Sequence, residues 1–201
     1  MSIPFPGGYF VKELIERIQT KGKILPNGIL KVDSFINHQV DPVLMDACGR
    51  EFARRFAGVG ASKVLTAEIS GIAPAVTTAL HLGIPVVYAR KTRPVTMPDA
   101  VLLTLAPSHT RGVMTELIVS PEYLTESERV LIIDDFLASG ATIMGLVRLA
   151  QTAGARVVGI GTLIEKSFEG GRASLAGLGV PIEALAVITS MLDDRILFAE
   201  D

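Results

Sequence analysis

Val130-Leu-Ile-Ile-Asp-Asp-Phe-Leu-Ala-Ser-Gly-Ala-Thr142 is the stretch on which the fold turns. Its four leading apolar residues, mostly β-branched, read as a strand buried on both faces. Two adjacent carboxylates follow, Asp134 and Asp135. A loop of small residues, Ala138 to Thr142, then leads into a helix-like run from Ile143. A strand entering a helix through such a loop presents free backbone N–H groups and the positive end of a helix dipole, which together cradle an anion. Asp134 and Asp135, just ahead of that cradle, suit the hydroxyls of a ribose or a metal ion. The stretch points to a site for a phosphorylated sugar.

The alternation continues on both sides. Arg156 to Ile164 is a second near-continuous apolar run, and the intervening helix spans about Ala141 to Ala153, stopped by Gly154. Upstream, Lys63 to Ala67 and Ile84 to Ala89 read as strands around a helix from Ala73 to Leu82. This βαβ rhythm predicts an α/β fold with an open parallel sheet flanked by helices. Ile182 to Ile188 and Ile196 to Phe198 read as late strands. Near the start, Tyr9 to Lys21 is an amphipathic helix stopped by Gly22, and Ile24 to Val32 is extended around a turn at Pro26-Asn27-Gly28. Asp41 caps a helix with Pro42 at its first position, running to about Ala57. Residues 1–8 are Pro/Gly-rich and irregular.

Residues 92–128 break the rhythm. Val101 to Leu105 and Val113 to Val119 pair as antiparallel strands around Thr110-Arg111-Gly112, an inserted hairpin read as a flexible flap over about 92–113. Residues 1–201 form a single domain, with about 1–45 as an N-terminal cap.

Composition narrows the function classes. The 201 residues are 49% hydrophobic and 20% charged, enough for one substantial core. Nineteen basic against 21 acidic groups give a net charge of −2, against a dedicated nucleic-acid or membrane-surface protein. Cys48, the only cysteine, excludes an internal disulfide and falls on an apolar helix face with Leu44, Phe52 and Phe56. No apolar run approaches the roughly 20 residues of a membrane span, and the N-terminus lacks a secretory pattern, so a cytoplasmic protein is expected. The chain has no Gly-x-Ser-x-Gly, His-Glu-x-x-His or Walker lysine loop. His38, His81 and His109 show no metal spacing, and Gly159-Ile-Gly161 lies inside a strand without a third glycine.

Three further segments carry candidate chemistry. In Ala67-Glu-Ile-Ser-Gly-Ile-Ala-Pro74, between a strand and its helix, Gly71 permits close backbone approach and Ser70 adds a hydroxyl donor. Ala89-Arg-Lys-Thr-Arg93 places Arg90 and Lys91 at a strand's C-terminal end, where ligands of open α/β sheets gather. Lys166 ends the strand from Arg156. Its ammonium has three donors and no acceptor; its place at that strand's end resembles the base-recognition position of oxopurine enzymes, which implies a match to a purine 6-oxo group and a mismatch to a 6-amino group.

The 130–142 stretch closely resembles the phosphoribosyl diphosphate signature of the type I phosphoribosyltransferases. That resemblance implies that Asp134 and Asp135 hold ribose hydroxyls and that Ala138, Ser139, Gly140, Ala141 and Thr142 hold the 5′-phosphate. It implies that Ser70, Gly71, Arg90 and Lys91 meet the diphosphate, with Asp134, Asp135 and Lys91 catalytic, and that Mg²⁺ accompanies the diphosphate. Leu30-Lys-Val-Asp-Ser-Phe-Ile-Asn-His-Gln-Val-Asp-Pro-Val-Leu-Met45 resembles the start of the family's bacterial xanthine-specific branch, over about Val11 to Leu197. By that resemblance Leu30, Asn37, Phe136 and Lys166 surround xanthine, the role is purine salvage, and a homodimer is implied. Hypoxanthine-guanine members carry an Asp where this chain has Ala138, which leaves no evident general base. The alternatives are an adenine or other purine phosphoribosyltransferase, and a transcriptional regulator that senses phosphoribosyl diphosphate.

Overall fold

β7 (Arg129–Leu137) runs through the middle of the fold, and its side chains alternate between two cores. Val130 and Ile132 enter one apolar cluster, and Leu131 and Ile133 the other, as the two-residue period of a strand requires. The computed structural model describes residues 9–107, 113–192 and 195–199, and the side chains of these except 9–11 and 27. The irregular start expected at residues 1–8, the Thr110-Arg111-Gly112 turn and His109 lie outside the described residues.

Across the sheet the order is β10 (Arg195–Phe198), β9 (Ile182–Leu192), β8 (Arg156–Lys166), β7, β3 (Lys63–Ala67), β4 (Val86–Ala89). All neighbours are parallel except β10, which returns antiparallel to β9. The open parallel sheet expected from the sequence is thus present, with one antiparallel edge strand. In chain order the parallel strands lie second, first, third, fourth, fifth. The chain leaves β3 and β7 in opposite directions, and that divergence opens a crevice at their carboxyl ends.

Helices cover both faces. α1 (Tyr9–Lys21), α2 (Pro42–Arg55) and α3 (Ile72–Leu82) supply Leu14, Ile18, Phe52 and Ala75 to one core. α4 (Ala141–Thr152) supplies Ile143, Leu146 and Leu149 to the other. Asp41 caps α2 as expected, its Oδ1 accepting from the Val43 and Leu44 amides at 3.2 and 3.1 Å. Its Oδ2 accepts from Arg17 at 2.7 Å, which ties α1 to α2. Cys48 is fully buried, and burial pushes its thiol up to about 12, so it is an inert core residue. Gly49 marks where α2 meets α3: a Cβ there would lie 2.5 Å from the Thr77 carbonyl carbon. Gly49→Val is therefore expected to cost about 1–3 kcal/mol, seen as a lower urea midpoint at unchanged slope; an unmoved midpoint would contradict so close a helix approach.

Several boundaries depart from the sequence reading. β7 continues past Ile133 to Leu137, and β8 past Ile164 to Lys166. Each supplies ladder partners to the other (Asp134 with Thr162, Phe136 with Ile164), which outweighs the local polarity that suggested an end. The paired carboxylates are therefore held by the sheet. β4 begins at Val86, beyond Pro85. A π-helical turn, Asp33–Asn37, buries Phe35 and Ile36 in the cap; no sequence period signals it. The cap hairpin of β1 (Lys23–Leu25) and β2 (Ile29–Lys31) turns at Pro26–Gly28, as expected.

β5 (Leu102–Pro107) and β6 (Met114–Val119) form the expected antiparallel hairpin. Its strands pack against α4. Arg148 donates to Thr104 Oγ1 at 3.0 Å and to the Leu105 carbonyl at 2.7 Å. A Cβ on Gly145 would lie 2.9 Å from Leu117 and 3.2 Å from Ala106. No helix among the described residues is long and apolar enough to cross a membrane.

Candidate active site

The crevice at the ends of β3 and β7 has two lobes. The larger, about 460 Å³, is bounded by the cap (Leu25, Ile29, Leu30, Asn37), by Phe136 and Lys166, and by the loop Ala138 to Thr142. The smaller, about 180 Å³, is bounded by Glu68, Ser70, Lys91 and Thr115. Asp134, Asp135, Ser70, Thr142 and Pro107 line both, so the two carboxylates stand where the lobes meet. The hairpin already stands over this junction through Pro107.

The small-residue loop has the polarity an anion requires. Its consecutive carbonyls are taken by the protein: Ala138 O accepts from Gly171 N, Ser139 O from Ser174 Oγ, and Gly140 O from Met144 N. The N–H groups of Ser139, Gly140, Ala141 and Thr142 meet no acceptor among the described residues. Gly140, at φ +81°, turns the chain from β7 into α4 through a conformation that a side chain would strain. The unpaired amides at the start of α4 add the positive end of its dipole.

Asp134 is 5% exposed. Burial, and after it the charge of Asp135, pushes its carboxyl well above the usual range, while the Lys91 charge opposes the shift. One Asp134 oxygen accepts the Asp135 amide at 3.0 Å, and one Asp135 oxygen accepts the Phe136 amide at 3.0 Å. Such a crowded pair of acids gains from a ligand that brings hydroxyl donors or positive charge.

Lys166 is 4% exposed and lines the larger lobe. It donates to the Gly28 carbonyl at 2.9 Å and to Glu169 at 3.1 Å, leaving one of its three N–H groups for a ligand. Its Nζ lies 6.0 Å from the Phe136 ring centre. Lys166 and Phe136 thus line the larger lobe together.

Thirteen of the residues singled out from sequence line one lobe or both: Leu30, Asn37, Ser70, Phe136, Lys166, Asp134, Asp135, Ala138, Ser139, Gly140, Ala141 and Thr142 bound the larger, and Lys91 the smaller. Two depart. Arg90 faces a separate cavity beside β4, over the Tyr88 ring at 5.9 Å, and not the smaller lobe. Neighbours in an extended chain point to opposite faces, so Lys91 and Arg90 cannot share one. Gly71 lines neither lobe; its missing Cβ makes room for Thr66 Oγ1 and for Asp134 Oδ1, 2.6 Å from where that Cβ would be. Sequence reasoning missed Glu68, whose carboxylate accepts the Lys91 amide at 2.6 Å, and Glu169; neither has a local pattern to betray it. The Glu68–Ile69 peptide is cis.

Comparison with known proteins agrees with this geometry. Residues 59–173 match the phosphoribosyl transferase domain, and the chain belongs to the type I phosphoribosyltransferase family. It is 49% identical over 191 residues to a xanthine phosphoribosyltransferase of Listeria monocytogenes, covering 95% of this chain and 100% of the relative. A second xanthine phosphoribosyltransferase, from Deinococcus deserti, is 48% identical over 94% of this chain and 98% of its own length. Among solved structures, an adenine phosphoribosyltransferase of Thermoanaerobacter pseudethanolicus superposes with a TM-score of 0.72 at 25% identity, over 88% of this chain and 98% of that one.

Proposed function

We infer that the protein is an enzyme that transfers phosphoribosyl from 5-phosphoribosyl 1-diphosphate to N9 of xanthine, giving xanthosine 5′-monophosphate and diphosphate. The observation that carries this reading is the two-lobed crevice with paired carboxylates at its junction. The larger lobe offers free amides for a 5′-phosphate and Phe136 with Lys166 for a purine, and the smaller offers Lys91 and Ser70 for diphosphate. A ribose bridging the lobes sits on Asp134 and Asp135. As N9 approaches and diphosphate departs, positive charge grows on the sugar and negative charge on the leaving group. The carboxylates favour the first and Lys91 the second, so catalysis is positioning and electrostatics without a covalent enzyme intermediate.

Two carboxylates without a third His, Cys or acidic partner among the described residues suit Mg²⁺ brought in on the substrate, since that ion is held by one or two carboxylates plus phosphate oxygens and water. When bound, the ion neutralises the diphosphate leaving group. The hairpin whose first strand ends at Pro107 excludes water from the activated sugar. Xanthine ionises more readily than other purines, which fits the absence of a base at Ala138.

The nearer alternative, adenine transfer, is disfavoured by Lys166, which has no lone pair for a 6-amino group. The sensing regulator is disfavoured by the near-neutral charge of −2. A phosphorylated co-substrate does not cross a bilayer unaided, which supports a cytoplasmic reaction. A homodimer, implied by the family resemblance, completes the reading.

Product identification by mass spectrometry, with xanthine, guanine, hypoxanthine and adenine offered in turn, tests it. Xanthosine monophosphate should dominate, and chelation of Mg²⁺ should abolish it; adenine as the best substrate would overturn the assignment.

A further inference from the structure

We propose that the segment Gly170–Leu175, beyond the end of β8, is a positioning element for the phosphate loop, with Gly171 and Ser174 setting the direction of the loop's amides. The proposal rests on the reading of residues 138–142 as the 5′-phosphate cradle and explains what holds that cradle open. In a planar trans peptide the C=O and the following N–H point opposite ways. A carbonyl fastened on one side therefore aims the next N–H to the other.

Gly171 N–H donates to Ala138 O at 2.9 Å, which aims the Ser139 N–H away from the segment. The single Ser174 hydroxyl hydrogen is shared between Gly171 O at 2.8 Å and Ser139 O at 3.2 Å, and its share in the second bond aims the Gly140 N–H likewise. Only the third carbonyl, Gly140 O, is taken by the loop's own helix, from Met144 N at 2.8 Å. Two of the three aiming contacts therefore come from a remote segment.

The fit leaves no slack. Gly171 is buried, and a Cβ on it would collide with the Ala138 carbonyl oxygen and stand 2.9 Å from Gly140 N. A Cβ on Gly140 would stand 2.7 Å from Ser174 Oγ. The segment is itself anchored. Leu175 is fully buried, Arg172 Nε donates to both oxygens of the buried Glu165 at 2.9 and 3.1 Å, and Arg172 Nη1 donates to the Ile182 carbonyl at 2.8 Å. It touches no substrate in this account and acts only through the loop.

Gly171→Ala and Ser174→Ala, measured beside Thr142→Ala in the loop itself, test the idea. The readouts are the KM for each substrate and the affinities for ribose 5-phosphate and inorganic diphosphate. Losing the aim of one amide should raise the KM for phosphoribosyl diphosphate about 3- to 10-fold in Ser174→Ala and by at least that in Gly171→Ala. Ribose 5-phosphate should weaken in parallel, while the KM for xanthine and the affinity for diphosphate hold. Ser174→Thr, which keeps the hydroxyl, should restore binding; if Gly171→Ala does not fold, the serine pair decides. A raised KM in Thr142→Ala with none in the segment variants overturns the positioning role and leaves the cradle standing, whereas no change in any variant overturns the positioning role and removes the Thr142 side chain from the cradle. Equal weakening of every ligand, with a lowered melting temperature, also overturns the role, because the segment would then be scaffold alone.

Discussion

Asp134→Asn is expected to abolish most activity and yet make the protein more stable. The carboxyl is buried beside Asp135, and burial first, then that neighbouring charge, raises its pKa. Asparagine keeps the shape and the acceptor for the Asp135 amide while removing the charge. A charge that favours a cationic sugar is lost with it, so kcat/KM should fall on the order of 10²–10³, the effect of deleting one preorganised electrostatic partner. The stability change has a definite pH signature. A raised pKa means that the native state holds the proton more tightly than the unfolded chain. Stability then falls as pH climbs from the ordinary carboxylate range through the native-state pKa. The variant should match the wild type in acid, where the carboxyl is protonated in both states, and surpass it at neutral pH, by about 2–4 °C in Tm for each kcal/mol relieved. Melting curves across pH check this; a variant less stable at neutral pH, or an advantage indifferent to pH, would contradict the crowded-acid account.

Lys166→Met should change which base is used without changing how the sugar is held. Methionine fills the aliphatic stem but offers no donor, and the links to Gly28 and Glu169 go with the ammonium. A hydrogen bond to a charged group contributes about 1.5–3 kcal/mol, so kcat/KM for xanthine should drop roughly 10- to 100-fold. The advantage of xanthine over adenine should shrink by the same order. The KM for phosphoribosyl diphosphate should stay put, because the phosphate loop and Lys91 are untouched. Steady-state kinetics with both bases decide it, and an unchanged preference would remove Lys166 from base recognition.

The parts of the fold that follow from local chemistry were readable in the sequence. The run from Val130, the helix capped by Asp41 and the hairpin of residues 102–119 each carry a period, a cap or a turn of their own. What depends on a neighbour was not readable. β7 runs on through Asp134 and Asp135 only because β8 supplies ladder partners, and the turn at Asp33–Asn37 forms because Phe35 and Ile36 find the core. The site divides the same way. Its loop and carboxylates are contiguous, and so visible as a pattern. Glu169 and Ser174 gain their roles through contacts with Lys166 and Ser139, which no linear spacing encodes. Arg90 shows the converse: its chemistry suited diphosphate, but alternation along the chain turned it to the other face.

The central claim is that the amides of residues 139–142 grip a 5′-phosphate, and backbone NMR during a titration with xanthosine 5′-monophosphate tests it most directly. The account predicts that the amide resonances of Ser139, Gly140, Ala141 and Thr142 move together and saturably, and that xanthosine, which lacks the phosphate, leaves them in place. Nucleotide binding that shifts other resonances while these four stay still would contradict it.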